Sequence, residues 1–335
     1  MASKQLSNLD LVDACDSFPY AEKDKQKYDE MMSSLWTLVL DDGTYGRVPL
    51  GLVTDNAFQK LLQTPTSVKG ELEVHRARRE FSIFQLETEK ERSKKAADVA
   101  NYWRVNKTFA ILSGWRNELY PCWGPDDHLL WSVERCAAAL FGITMYGAHM
   151  TAFTKSPESS HGIKIWVPQR AAGKQTYGGM LDNTVAGGMA TGENPLLCIS
   201  REAEEEASLP MEYVKEHAEA AGAVSYIYLR SALATGETGL VQPEVQYIFD
   251  LELPVDMVPK PNDSEVECFY LWTVEEVHEH LAKGRFKPNC ALVLLDFFIR
   301  RGILTPDNEP NFEEIKRRVH RPLPFPGPHR KDQQS

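Results

Sequence analysis

Between positions 187 and 209 the chain reads GGMATGENPLLCISREAEEEASL. Glu202, Glu205 and Glu206 fall within one short run, after a glycine-rich turn and a proline. Asn194 followed by Pro195 is a helix start: the first side chain can accept an orphan amide, and the second residue needs no donor of its own. On a helix advancing about 100° per residue, Leu196, Ile199, Ala203 and Ala207 share a stripe that faces a core. Glu202, Glu205 and Glu206 cluster on a neighbouring face, and Glu204 falls on the other side of the stripe. Like charges at such spacing repel one another. Either the side chains point into water, or a cation offsets the repulsion. Hard divalent ions such as Mg²⁺ take oxygen ligands and suit clustered carboxylates. For EAEEE alone a solvated acidic face is the commoner reading; the spacing of the surrounding residues favours the cation.

That spacing is Gly187, five residues, Glu193, seven residues, Arg201-Glu202, an apolar residue, any residue, then Glu205-Glu206. It resembles the Nudix box, G-x5-E-x7-R-E-U-x-E-E-x-G-U, of the Nudix hydrolases, which cleave a nucleoside or other diphosphate linked to a further moiety. Ser208 stands where the family has glycine, a departure that weakens a left-handed cap but removes no ligand. The resemblance implies an α/β fold, a Nudix α/β/α sandwich, that uses Mg²⁺ or Mn²⁺. By position it makes Glu205 and Glu206 metal ligands and Glu202 a ligand or general base. Arg201 would orient Glu202, and Glu193 would brace the loop–helix junction or contribute to the metal site. The carbonyl of Ala186 or Gly187 would add a ligand. A further carboxylate from outside the box is expected among Glu265, Glu267 and Glu244, the first two being favoured.

Upstream, WVPQRAAGKQTYGGMLDNTVAGG (166–188) resembles a subgroup with the layout W-V/I-x-x-R, then Lys, a Tyr-Pro-Gly turn and L-D-N-x-V-A-G-G. Here Tyr177-Gly178-Gly179 replaces the turn. WRNELYPCW (115–123) and ERCAAALFGITMYGAHMTAF (134–153) match the subgroup's N-terminal, DUF4743-type region. In some fungi the module is fused to thiamine pyrophosphokinase. The resemblance implies hydrolysis of thiamine diphosphate, and preferentially of its damaged oxo and oxy forms, to the monophosphates, a metabolite-repair role. Arg170 and Lys174 are candidates either for phosphate contacts or for surface ion pairs. Trp103, Trp115, Tyr120 and Trp123 could stack on a heteroaromatic ring, although such aromatics are usually core. His149 reads as structural and Cys198 as packing. An isopentenyl-diphosphate isomerase would need a cysteine in the stretch 183–186, where there is none. The remaining alternatives are a diphosphatase for ADP-ribose or dinucleotides and a noncatalytic binding module. The intact glutamates count against the last.

These residues need elements to position them. The pattern changes near 140 and implies a loose N-terminus (1–25), an N-terminal α+β domain (26–140), the Nudix domain (141–320) and an extended Pro-rich tail (321–335). LWTLVLDDGTYGRVPL (35–50) reads as strand, turn, strand, with a helix opening at Thr54-Asp55. Residues 81–85 read as a strand, and 90–105 and 129–142 as helices. TMYGAHMTAFTK and GIKIWVPQR form a hairpin, and AVSYIYLR, VQYIFDLEL and FYLWTV are strands. TVEEVHEHLAKG and NCALVLLDFFIRRG are helices, the second capped by Asn289 and stopped by Gly302.

A net charge of −11 argues against nonspecific nucleic-acid binding. The six cysteines include no CxxC pair, which implies reduced thiols and a cytoplasmic setting. No apolar run approaches the roughly 18 residues a bilayer span needs, so no membrane partner is expected. The N-terminus lacks the features of a signal or transit peptide. The expected partner is a small-molecule diphosphate. The sequence says nothing of oligomeric state.

Overall fold

The computed structural model describes residues 5–332. Residues 1–4 of the expected loose N-terminus and 333–335 of the expected tail lie outside the described residues. The chain divides into two compact units: one comprises 18–145, 227–244 and 322–335, the other 1–17, 146–226 and 245–321.

In the first unit β1 (Leu35–Asp42) and β2 (Gly46–Thr54) form an antiparallel hairpin. β3 (Leu72–His75) and β4 (Glu80–Ile83) complete a sheet in the order β2-β1-β4-β3. Thr54 caps the helix Asp55–Gln63. Trp36 stacks on Phe58, with ring centroids 3.8 Å apart. The helix Glu89–Val105 turns Ala96, Val99, Ala100 and Trp103 into the same core. The expected single helix over 129–142 is instead a strand followed by a short helix. β5 (Leu119–Trp123) pairs antiparallel with β6 (Leu129–Glu134), and the helix begins at Arg135. Trp131 and Val133 are strand formers, and the partner strand overrides the helical reading. Gly142 ends the helix at φ 61°, and a Cβ there would strike the backbone of Leu52. Trp103 and Tyr120 are buried, and Trp115 packs against the core; they are structural aromatics. The proline-rich stretch folds back into this unit, with Leu323, Phe325 and His329 buried rather than extended in solvent.

The second unit is a six-stranded sheet with helices. Its strands are β7 (Met145–Lys155), β8 (Ile163–Arg170), β9 (Val185–Gly188), β10 (Glu219–Leu229), β11 (Val241–Glu252) and β12 (Val266–Thr273). Their order is β10-β11-β7-β8-β12, with β9 paired to β7. The tip of the β10–β11 hairpin is counted with the first unit. The helix Pro288–Arg300 is flanked at its start by Lys287, and Asn289 is buried within it, so Asn289 is not the cap. Proline takes the first helical position and shifts the start by one residue. Gly302 follows the helix at φ 66°. Part of the segment expected to be loose is a helix, Asn8–Cys15, which buries Leu11, Val12 and Cys15. The buried Asp16 carboxylate accepts from Arg318 Nε at 3.2 Å and Arg321 Nη1 at 2.9 Å. A short apolar face and a distant pair of arginines together order it.

Two buried histidines make stability depend on pH. Burial pushes His149 and His329 down to about 4 from the ordinary 6.5. Above pH 6.5 both folded and unfolded chains hold neutral imidazole. As pH falls from 6.5 toward 4 the unfolded chain takes up protons that the folded chain refuses, so stability declines. We expect each site to contribute a loss of roughly 3 kcal/mol across that window. Denaturant unfolding of the wild type and of His149→Asn at several pH values checks it: the variant should show the flatter profile.

Among the described residues, no helix is long and apolar enough to cross a membrane.

Candidate functional site

The acidic helix spans Pro195–Ala207, with Asn194 Oδ1 accepting from Leu197 N at 2.8 Å. Ile199, Ala203 and Ala207 are buried, as the stripe requires, and Leu196 is half-buried. The glutamates have three different environments. Glu206 is buried, Glu202 is half-buried, and Glu204 and Glu205 are exposed. Ser208 ends the helix in the left-handed region at φ 56°, and its hydroxyl donates to Lys260 O at 3.0 Å. The serine keeps the cap conformation that glycine adopts more freely.

Arg201 gathers three of the acids. Its Nε donates to Glu193 Oε1 at 3.0 Å, and its Nη1 lies 3.0 Å from both Glu202 Oε1 and Glu205 Oε2. Burial opposes the Arg201 charge, but Glu193 and Glu202 more than reverse this and hold the guanidinium firmly protonated. Glu193 Oε2 also accepts from Ala190 N at 3.2 Å, which ties the glycine-rich loop to the helix.

β9 runs beside this helix. Ala186 N donates to Glu206 Oε2 at 3.3 Å. At Gly187 a Cβ would fall inside the Glu202 side chain, so only glycine leaves room for that carboxylate. Burial, then the nearby charges of Asp182 and Glu202, push the Glu206 carboxyl well above the usual range. Cys198 is fully buried, and burial raises its thiol; it packs, as its position implies.

Arg170 and Lys174 are each engaged. Arg170 Nη1 lies 2.5 Å from Asp182 Oδ2, and its Nη2 donates to Thr176 O at 3.1 Å. Arg170 Nε is buried with no hydrogen-bond partner among the described residues. Lys174 Nζ pairs with the Glu265 carboxylate. Glu265 O accepts from Ala171 N at 2.9 Å. Glu267 is exposed on β12, next to Val266, which pairs with Arg170. Glu244 is counted with the other unit.

Asp182 is the residue that spacing alone does not single out, although it lies in the LDN run. Its Oδ1 accepts from Cys290 Sγ at 2.6 Å and from Asn183 N at 3.0 Å. Burial raises this carboxyl, but Lys287 and Arg170 outweigh it and keep Asp182 ionised. Asn183 Oδ1 meets His149 Nδ1 at 2.7 Å, and His149 pairs with Ala186 across β7 and β9. A buried polar chain thus runs from Arg170 through Asp182 and Asn183 to the strand beside Glu206.

The donor set suits a hard cation. Glu202, Glu205 and Glu206 supply oxygen only. A buried carboxyl crowded by two other acids has too little positive charge beside it to be held ionised, since burial, Asp182 and Glu202 outweigh Lys174. The described residues also bring Asp41, Glu73 and His75 together in the first unit, with ligand atoms within 4.8 Å. There Arg47 Nη1 already meets Asp41 at 2.6 Å and His75 Nε2 at 3.1 Å, so the positive charge is in place.

Residues 51–145 match the model of a domain of unknown function, DUF4743, and residues 151–292 match that of the NUDIX domain. An uncharacterized protein of Saccharomyces cerevisiae, YJR142W, is 35% identical over 326 residues, covering 96% of this chain and 92% of its own. Nudix hydrolase 20, chloroplastic, of Arabidopsis thaliana is 36% identical over 67% of this chain. Nudix hydrolase 24, chloroplastic, of the same plant is 34% identical over 66%. The chain spans 56% and 58% of the length of these two plant relatives. Among solved structures, DR0079 from Deinococcus radiodurans is similar at 19% identity and a TM-score of 0.36, over 50% of this chain and 91% of that one. Nudix hydrolases as a family use divalent metal ions and act on small molecules. The chain carries a NUDIX domain preceded by a DUF4743 region and has Nudix hydrolases among its relatives, which support a hydrolase acting on pyrophosphate bonds.

Proposed function

We propose that the protein is a Mg²⁺-dependent diphosphatase that converts thiamine diphosphate and its damaged oxo and oxy forms to the monophosphate and phosphate. The observation that carries the metal site is the buried Glu206, crowded by Asp182 and Glu202 beside Ala186. Glu202, Glu205 and Glu206, with the carbonyl of Ala186, would hold the ion, and Glu265 or Glu267 is the candidate carboxylate from outside the box. A bound divalent ion neutralises diphosphate charge and makes bound water more acidic. The chain's own residues do the rest. Arg201 fixes the rotamers of Glu193, Glu202 and Glu205 through the contacts described above. Glu202 takes a proton from the attacking water. Arg170 Nε, buried with no hydrogen-bond partner among the described residues, and the Lys174 ammonium are the candidate donors for phosphate oxygens. Water adds to the terminal phosphorus, the bridging P–O bond breaks, and the bridging oxygen leaves with the thiamine monophosphate.

The thiamine assignment is supported by the 166–188 layout and the matching N-terminal segments. It implies a cytoplasmic metabolite-repair role, removing analogues that would occupy thiamine enzymes. A substrate panel with Mg²⁺, its products read by mass spectrometry, tests it. Thiamine monophosphate plus phosphate is the expected result. AMP from ADP-ribose without turnover of any thiamine diphosphate would contradict the substrate. Binding without any turnover would make the protein a noncatalytic module.

A further inference from the structure

The contact between Lys174 and Glu265 assigns these two side chains to each other. Lys174 follows Arg170 in a loop closed on itself: Gly179 N donates to Arg170 O at 3.2 Å, Arg170 N to Met180 O at 2.9 Å, and Lys174 N to Ala171 O at 3.1 Å. Glu265 is anchored from two sides. Its carbonyl accepts from Ala171 N at 2.9 Å, and its own amide donates to Asp263 Oδ1 at 2.8 Å. The Lys174 side chain is only 12% exposed, against 34% for Glu265, so the ammonium is held inward with the carboxylate as its partner. Lys174 is also close enough to Glu206 for its charge to act on that carboxyl. An anion arriving beside Glu206 therefore meets an ammonium already engaged.

We infer that the Lys174–Glu265 pair is a clasp that a diphosphate must open, so that Glu265 competes with the substrate's phosphate oxygens for Lys174. This rests on the proposed reading, in which a diphosphate binds beside the carboxylate helix. A diphosphate end group carries more charge than one carboxylate and offers several acceptor oxygens, so it wins the ammonium. A weaker anion, such as a phosphate monoester or free phosphate, competes less well. The clasp therefore favours diphosphate entry over product retention.

A double-mutant cycle tests this without turnover. Inorganic pyrophosphate is titrated calorimetrically, without metal, into wild type, Glu265→Gln, Lys174→Gln and the double variant. Circular dichroism checks folding, and Lys174→Met serves as a second replacement. Removing the competitor should tighten pyrophosphate binding roughly fivefold in Glu265→Gln. In the Lys174→Gln background the same change should give no gain. An equal gain in both backgrounds would reduce Glu265 to general charge repulsion and overturn the clasp. No gain in either, or no binding by any of the four proteins, would also overturn it. If the substrate panel shows diphosphate turnover while the cycle shows no coupling, the clasp fails and the proposed function stands. Coupling without turnover of thiamine diphosphate would keep the clasp and remove the proposed substrate.

Discussion

Glu206→Gln should abolish turnover while making the metal-free protein more stable. Glu206 is buried, and burial together with Asp182 and Glu202 raises its carboxyl. A group whose folded pKa is raised supplies stability below its unfolded value and loses it as pH rises through the folded one. At neutral pH the unfolded chain holds this carboxyl ionised while the metal-free folded chain holds it mostly protonated, so folding must take up a proton and is opposed unless a cation stabilises the charge. Glutamine keeps the shape and can still accept from Ala186 N, but it carries no charge. We expect a gain on the order of 2 kcal/mol in metal-free denaturant unfolding at pH 7 and a fall in kcat of ~100-fold or more. Loss of both stability and activity would mean that Glu206 is a packing residue. The companion change Glu205→Gln should also remove turnover. Because Glu205 is exposed and its carboxylate meets Arg201 at its tip, the fold of this variant should be unaffected.

Asp182→Ala should be the most destabilising single change near the site. Asp182 holds the buried Arg170 guanidinium at 2.5 Å and accepts from Cys290 Sγ. Removing the carboxylate strands a buried positive charge, which costs about 3–5 kcal/mol. Relief of the repulsion on Glu206 returns only part of this, because burial is the larger cause of that shift. Unfolding midpoints in urea measure the net effect. A loss under about 1 kcal/mol would show that Arg170 finds another partner. Cys290→Ala is the comparison. It removes a thiol donor and leaves the ion pair intact, so it should cost much less.

The acidic helix is legible in the sequence because its information is local. The cap, the proline, the apolar stripe and the three acids lie within 15 residues, 194–208, and each acts on its neighbours. The hairpin of β7 and β8 is legible for the same reason. The polar chain through Asp182 is not, since its partners come from far along the sequence: Asp182 and Cys290 are 108 positions apart. Lys174 and Glu265 are both readable as candidates, yet nothing in either segment shows that they meet 91 positions apart. β6 reads as helix because LLWSVERCAAALFG joins strand formers to helix formers without a break, and only pairing with β5 divides them. The N-terminal helix escapes a local reading because the charge that holds it, on Arg318 and Arg321, lies at the other end of the chain.

Mg²⁺-dependent stability tests the central claim most directly. Thermal unfolding of the wild type and of Glu206→Gln is followed as Mg²⁺ is added. A ligand that binds only the folded state raises stability with its concentration. The wild type should begin as the less stable protein and rise with Mg²⁺ until it matches or passes the variant, whose midpoint should stay nearly fixed. Parallel curves, with the metal acting equally on both or on neither, would contradict a cation held by this helix.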